Sequence, residues 1–131
     1  MALNEKMTQE VLAVMDQYVQ YYNEKNEGKV LALFSKTISG FGTGKDEIAE
    51  NLAQFKERIQ VDLDPANAIH LSVKILTTGG VMPAAWITGL CNMDGRIGGK
   101  SIRMEGRVTA VLVNSGGRWL FEQVHFSLPD A

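Results

Sequence analysis

The stretch Gly106–Pro129 reads "GRVTAVLVNSGGRWLFEQVHFSLP". Two apolar runs rich in β-branched and aromatic residues flank Asn114-Ser115-Gly116-Gly117, which is the signature of a β-hairpin. Successive side chains of a strand point to opposite faces. In the second run Trp119, Phe121, Gln123, His125 and Ser127 therefore share one face, and Leu120, Glu122, Val124 and Phe126 share the other. Each face is mostly apolar, and each carries a polar group that resists burial. A strand of this kind is predicted to be covered on both sides.

Upstream the period changes. From Thr8 to Lys25 the residues Val11, Val14, Met15, Tyr18, Val19 and Tyr22 recur at helical spacing, with Thr8 as the expected N-cap. "KVLALF" (Lys29–Phe34) reads as a short second helix. A glycine-rich loop follows over Ser39–Glu47, and a third helix is expected from Asp46, carrying Ile48, Leu52, Phe55 and Ile59 on one stripe. Beyond Asp64-Pro65 the period becomes two. Strands are predicted over Ile69–Thr78, Ala84–Met93 and Ile102–Val113, with turns at Gly79-Gly80 and Asp94-Gly95, before the closing hairpin. Three N-terminal helices followed by about four antiparallel strands make an α+β plan.

The 131 residues suit one domain spanning 1–131, large enough to fold without a disulfide or a structural metal. With 13 Lys and Arg against 15 Asp and Glu, scattered along the chain, there is no basic field for a nucleic-acid backbone. Cys91 stands alone, and two histidines at no ligand spacing make no metal site. The opening "MALNEKMTQE" is too polar for a secretory signal, and no apolar run has membrane-spanning length. The expectation is a cytoplasmic protein with no nucleic-acid or membrane partner and no cofactor.

Three motifs point to a family: "GTGKDE" (Gly42–Glu47), "GRVTAVL" (Gly106–Leu112), and Trp119 followed by His125–Pro129, "HFSLP". In this order, after the leading helices, they resemble the nuclear-transport-factor-2-like superfamily in its SnoaL-like branch. The strand and turn "AAWITGLCNMDG", with "EGRVTAV" and the Trp…His-x-Ser ending, is also similar to the association domain of calcium/calmodulin-dependent protein kinase II. The resemblance covers nearly the whole chain. It implies a cone: three helices packed on a curved, mostly antiparallel sheet around a pocket, with the outer sheet face on a second subunit. It does not select a chemistry, because the fold hosts isomerases, cyclases, dehydratases, epoxide hydrolases and assembly modules.

The pocket face depends on the hairpin register. A two- or four-residue loop centred on Ser115-Gly116 pairs Arg107 with Val124, Thr109 with Glu122 and Val111 with Leu120. Arg103, Glu105, Arg107 and Thr109 then share the pocket face with Glu122, Val124 and Phe126. The apolar set Val108, Ala110, Leu112, Trp119 and Phe121 is left for a dimer interface. A three-residue loop would exchange the two groups, since one residue of slip reverses every side chain.

On that register Arg107 is the leading ligand contact, a guanidinium able to clamp an anion, or else a partner of Glu122 or Glu105. Glu122 is placed for acid–base work or for neutralising that arginine. Tyr18, Tyr21 and Tyr22 on the first helix, with Phe34, Trp86 and Phe126, are expected to supply an aromatic wall or else plain core. Tyr18 is the leading pocket residue among them, and Thr88 lies on the strand that carries Trp86. His125 has no triad partner at a telling spacing and reads as structural. "GFGTGKDE" lacks the GxxxxGK[ST] spacing of a phosphate loop, so it reads as a flexible loop with Asp46 near a helix N-terminus. The expected function is a small-molecule binding protein, its ligand anionic if Arg107 holds it, or a cofactor-independent SnoaL-like enzyme. The competing expectation is a non-catalytic assembly module, and either way a homodimer.

Overall fold

The computed structural model describes residues 2–129. Helix α1 spans Glu5–Asn23, opened by Asn4, whose side chain accepts from the Met7 amide. The cap therefore lies one turn before the expected Thr8, which instead sends its hydroxyl to the Asn4 carbonyl at 2.9 Å. One stripe of α1, formed by Val11, Val14, Met15, Tyr18 and Tyr22, is buried. The short α2 covers Glu27–Leu31.

Two strands that the helical reading overlooked come next. Strand β1 is Phe34–Phe41 and β2 is Ile48–Ala49, paired antiparallel through Gly40 with Ala49 and Phe41 with Ile48. Helix α3 then begins at Leu52 and runs to Asp62, capped by Asn51. Ile48 is thus an exposed strand residue rather than the first member of the helical stripe, and Asp46 lies in the loop rather than at a helix N-terminus.

The remaining strands are β3 (Ala68–Val81), β4 (Ala84–Ile97), β5 (Lys100–Ser115) and β6 (Arg118–Ser127). They join one six-stranded sheet in the order β2-β1-β6-β5-β4-β3, antiparallel except for the parallel β1–β6 pair. The glycine pairs expected as turns sit inside long strands. Gly79 pairs with Trp86, and a Cβ on Gly79 would lie 2.9 Å from the indole nitrogen, so this glycine makes room for a cross-strand ring. The real turns are Met82-Pro83, Gly98-Gly99 and Gly116-Gly117. Gly116 and Gly117 have φ of 62° and 84°, as a two-residue hairpin turn requires of both residues.

The helices cover one face of the sheet. Ile69, Leu71, Ala85, Ile87, Val108, Ala110 and Leu112 form the buried layer beneath them, joined by Trp119, Phe121 and Val124. Asn23 fixes α1 to the edge strand β3: its amide donates to the Leu71 carbonyl at 2.8 Å and accepts from the Leu71 amide at 2.7 Å. A side-chain amide here completes backbone pairing that the edge of a sheet leaves open. Among the described residues, no helix is long and apolar enough to cross a membrane.

The hairpin corrects the expected register. Leu112 pairs with Phe121 and Val113 with Leu120, then a bulge at Glu122 shifts the ladder so that Ala110 meets Val124, Val108 meets Phe126 and Arg107 meets Ser127. A bulge inserts one residue and reverses the faces beyond it. Val124 and Phe126 therefore join Trp119 and Phe121 on the helix-covered side, while Gln123 and His125 join Arg107 and Thr109 on the other. The apolar set expected at an interface is the core.

Candidate functional site

Between the helices and the sheet lies a cavity of about 470 Å³. Its apolar wall comes from three directions: Tyr18 and Tyr22 on α1, Phe55 and Ile59 on α3, and Leu71, Met93, Met104 and Phe126 from the sheet. The aromatic rings meet one another. Tyr18 lies 5.7 Å from Phe121 and 6.4 Å from Phe126 between centroids, and Phe34 lies 5.4 Å from Phe55. Contacts of this kind hold the rings in fixed orientations.

One end of the cavity is polar. Asp62, the last residue of α3, accepts from the Tyr22 hydroxyl at 3.3 Å through Oδ2. Its other oxygen accepts from Arg58 Nε at 3.3 Å and Nη2 at 3.0 Å. Arg58 precedes Asp62 by one helical turn, the spacing that brings two side chains together on a helix. Its Nε also meets Glu47 Oε1 at 2.9 Å, so two carboxylates share one guanidinium.

Burial raises the Asp62 carboxyl above the usual aspartate range, and the Glu47 charge adds to the rise. Arg58 and the Tyr22 hydrogen bond oppose it. Burial pushes the phenols of Tyr18 and Tyr22 up, and the neighbouring Asp62 charge pushes them further. For Arg58 burial works against the charge, but the adjacent Asp62 outweighs it and the guanidinium stays firmly protonated. The Cys91 thiol is also raised by burial. Asp62 is thus a carboxyl that holds its proton more tightly than a free aspartate, beside two neutral phenols. Among the described residues, no group of three His, Cys, Asp or Glu side chains is placed to hold a metal ion.

Of the six residues predicted to contact a ligand, Tyr18 and Phe126 line this cavity. Arg107 does not face it: the residue is exposed on the opposite side of the sheet, opposite Leu90 and Ser127 in the ladders. The expected Arg107–Glu122 contact is not formed among the described residues. Glu122 sits at the bulge, where Oε1 accepts from the Thr37 hydroxyl at 2.5 Å and Oε2 is buried with no partner among the described residues. Trp86 and Thr88 are exposed on the outer face with Arg107. His125 is exposed there too, its ring 5.2 Å from that of Phe41.

The sequence reading missed Arg58, Asp62 and Glu47, and took Tyr22, which does line the cavity, only as a candidate for its aromatic wall. A signal was present: in α3 the charges at Arg58 and Asp62 flank the buried Ile59, so the polar pair borders the apolar stripe.

A family model described as a SnoaL-like domain matches residues 11–131. No curated protein sequence matches the chain at a significant level. Among solved structures, an NTF2-like protein of unknown function from Pseudomonas putida KT2440 is 14% identical, with a TM-score of 0.85 over 98% of this chain and 91% of that one. A protein from Xanthomonas campestris, provisionally described as a calcium/calmodulin-dependent protein kinase II association domain, is 19% identical, with a TM-score of 0.76 over 92% and 86%. A provisionally assigned scytalone dehydratase from Novosphingobium aromaticivorans DSM 12444 is 13% identical, with a TM-score of 0.76 over 95% and 85%. At such identities these likenesses establish the fold. With the family model matching nearly its whole length, the chain belongs to the SnoaL-like family, on the NTF2-like fold.

Proposed function

We propose that the protein binds a small, largely apolar, uncharged ring compound in this cavity and moves a proton on it without a cofactor. The observation that carries this reading is the Asp62 carboxyl, held by Tyr22 and Arg58 beside the apolar wall of a cavity of about 470 Å³. Such a volume lies within the range of small-molecule pockets. Asp62 acts as the acid or base, with Tyr18 as the phenol donor to an oxygen of the ligand and Tyr22 holding Asp62 in place. Four acidic side chains, Asp46, Glu47, Glu57 and Asp62, line the cavity against the one arginine, and that imbalance favours a neutral ligand over the anion expected from Arg107.

Hydrogen–deuterium exchange at the acidic C–H bonds of 2-tetralone, a neutral ring ketone, tests the reading. Catalysed exchange that Asp62→Asn abolishes is the expected result. Exchange at the buffer rate in the wild-type protein, with no methyl shift at Met93 or Met104, overturns it.

The outer sheet face supports a homodimer as part of the same proposal. Trp86 and Leu90 are 47% and 42% exposed there, beside the half-buried Val111, Val113 and Leu120. A second copy would cover these apolar side chains. Cytoplasmic residence is also proposed, in keeping with a lone buried thiol at Cys91.

A further inference from the structure

The glycine loop Gly42–Glu47 serves its own glutamate. Glu47 folds its side chain back over the loop, where Oε2 accepts from the Gly44 amide and from the Thr43 hydroxyl, the latter at 3.4 Å. The backbone closes the same turn, with Gly42 donating to the Glu47 carbonyl at 2.8 Å and Glu47 donating to that of Gly44 at 3.1 Å. Glycine is needed for this fold-back: a Cβ on Gly42 or Gly44 would lie 2.8 or 2.9 Å from Glu47 Oε2. The other oxygen, Oε1, is thereby delivered to Arg58 Nε at the cavity wall.

We propose that Glu47 determines the specificity of the cavity by completing, with Asp62, the occupation of the Nε–Nη2 edge of Arg58, where a ligand carboxylate would otherwise pair. The inference rests on the reading that the cavity binds a small molecule. Arg58 is the cation among the cavity-lining residues, and its Nε and Nη2 are already engaged by Glu47 and Asp62. An incoming acid must displace a carboxylate that its own loop holds in place, an intramolecular competitor at high effective concentration. It must also approach a wall on which four acidic side chains, Asp46, Glu47, Glu57 and Asp62, face one cation. A neutral ligand meets neither obstacle, because it can accept from the Tyr18 phenol, whose ring lines the cavity. The site therefore excludes acids by an internal carboxylate rather than by shape.

Two probes of one ring system and opposite charge state test this: 2-naphthol, uncharged near neutral pH, and 2-naphthoate. Affinities are measured by NMR titration, following the Met93 and Met104 methyls, for the wild-type chain, Glu47→Gln and Gly44→Ala. The wild-type protein should prefer 2-naphthol by at least about tenfold. Glu47→Gln should narrow that preference by about tenfold, through tighter naphthoate binding with 2-naphthol little changed. Gly44→Ala should narrow it likewise, because the added methyl drives Glu47 off its loop while every charge is kept. If Gly44→Ala does not fold, Glu47→Gln decides alone. A preference unmoved by Glu47→Gln, with 2-naphthol still bound, overturns the inference and leaves the cavity reading standing. Failure of both probes to bind the wild-type protein overturns the cavity reading and the inference with it.

Discussion

The Tyr22 hydroxyl donates to Asp62 Oδ2 at 3.3 Å, tying the last turn of α1 to the last turn of α3 across the polar end of the cavity. The contact joins two helices that wall the cavity, and it lowers the proton affinity of Asp62, which burial chiefly raises. A hydrogen bond to a carboxylate favours its charged form.

Tyr22→Phe keeps the ring and removes that bond. The Asp62 midpoint should move upward, since a contribution that lowers it is lost. The stability loss should be about 1 kcal/mol, the usual net worth of one hydrogen bond. Carboxyl-carbon NMR titration reads the first effect and urea unfolding the second. A midpoint that stays or falls contradicts the role assigned to Tyr22.

Asp62 also makes stability depend on pH. Its carboxyl is raised in the folded protein, chiefly by burial, so the folded state holds the proton more tightly than the unfolded state. Stability is then full below the ordinary aspartate range and falls as pH rises through the folded value. Asp62→Asn should remove that part of the slope. Arg58→Met should steepen it, because the cation that favours ionised Asp62 is lost while Glu47 remains. The extra loss near neutral pH should be about 1 kcal/mol, modest because Arg58 is partly exposed and screened. Urea midpoints measured across the acid range decide it, and a flat difference between wild type and Arg58→Met contradicts the cluster's electrostatics.

Strand and helix periodicity was legible, because a buried stripe leaves a repeat in the sequence. α1, the long strands and the closing hairpin followed from it. What periodicity cannot carry is a local insertion. The bulge at Glu122 changes no hydrophobic pattern, yet it moves Val124 and Phe126 to the face of Trp119 and Phe121. The face covered by the helices was a separate choice, and α1 and α3 cover the side of Val108 and Trp119, which leaves Arg107 outside. The short pair β1–β2 was hidden because Ile48 happens to lie at helical spacing from Leu52 and Phe55. The polar end of the cavity joins residues of α1, α3 and the glycine loop, separated by as many as 40 positions in the Tyr22–Asp62 pair. Tertiary packing brings them together, and no spacing rule records it.

Trp119 tests the corrected face assignment. It is 4% exposed in the core beneath the helices. Trp119→Ala should cost about 3–5 kcal/mol, the range for removing a large buried aromatic ring. The indole nitrogen has no hydrogen-bond partner among the described residues, so the loss is one of packing and apolar burial. Chemical unfolding gives the value, and a loss below about 1 kcal/mol would mean that the ring is not in the core.

The outer face offers the complementary test. Trp86 lies opposite Val111 on β5 and over Gly79 on β3, so its ring sits in mid-sheet rather than at an edge. With Leu90 it is among the large apolar side chains left exposed on the chain. A ring in that position contributes little to the isolated fold and much to a surface that meets its own copy. Sedimentation at micromolar concentration should therefore give a dimer for the wild-type protein. Trp86→Lys should give a monomer, because two lysines and their lost apolar area would face each other across a two-fold axis. Its thermal midpoint, extrapolated to low protein concentration, should match that of the wild type, since the substituted side chain leaves the core untouched. A wild-type monomer at every concentration, or a Trp86→Lys dimer of unchanged affinity, would contradict this use of the outer face.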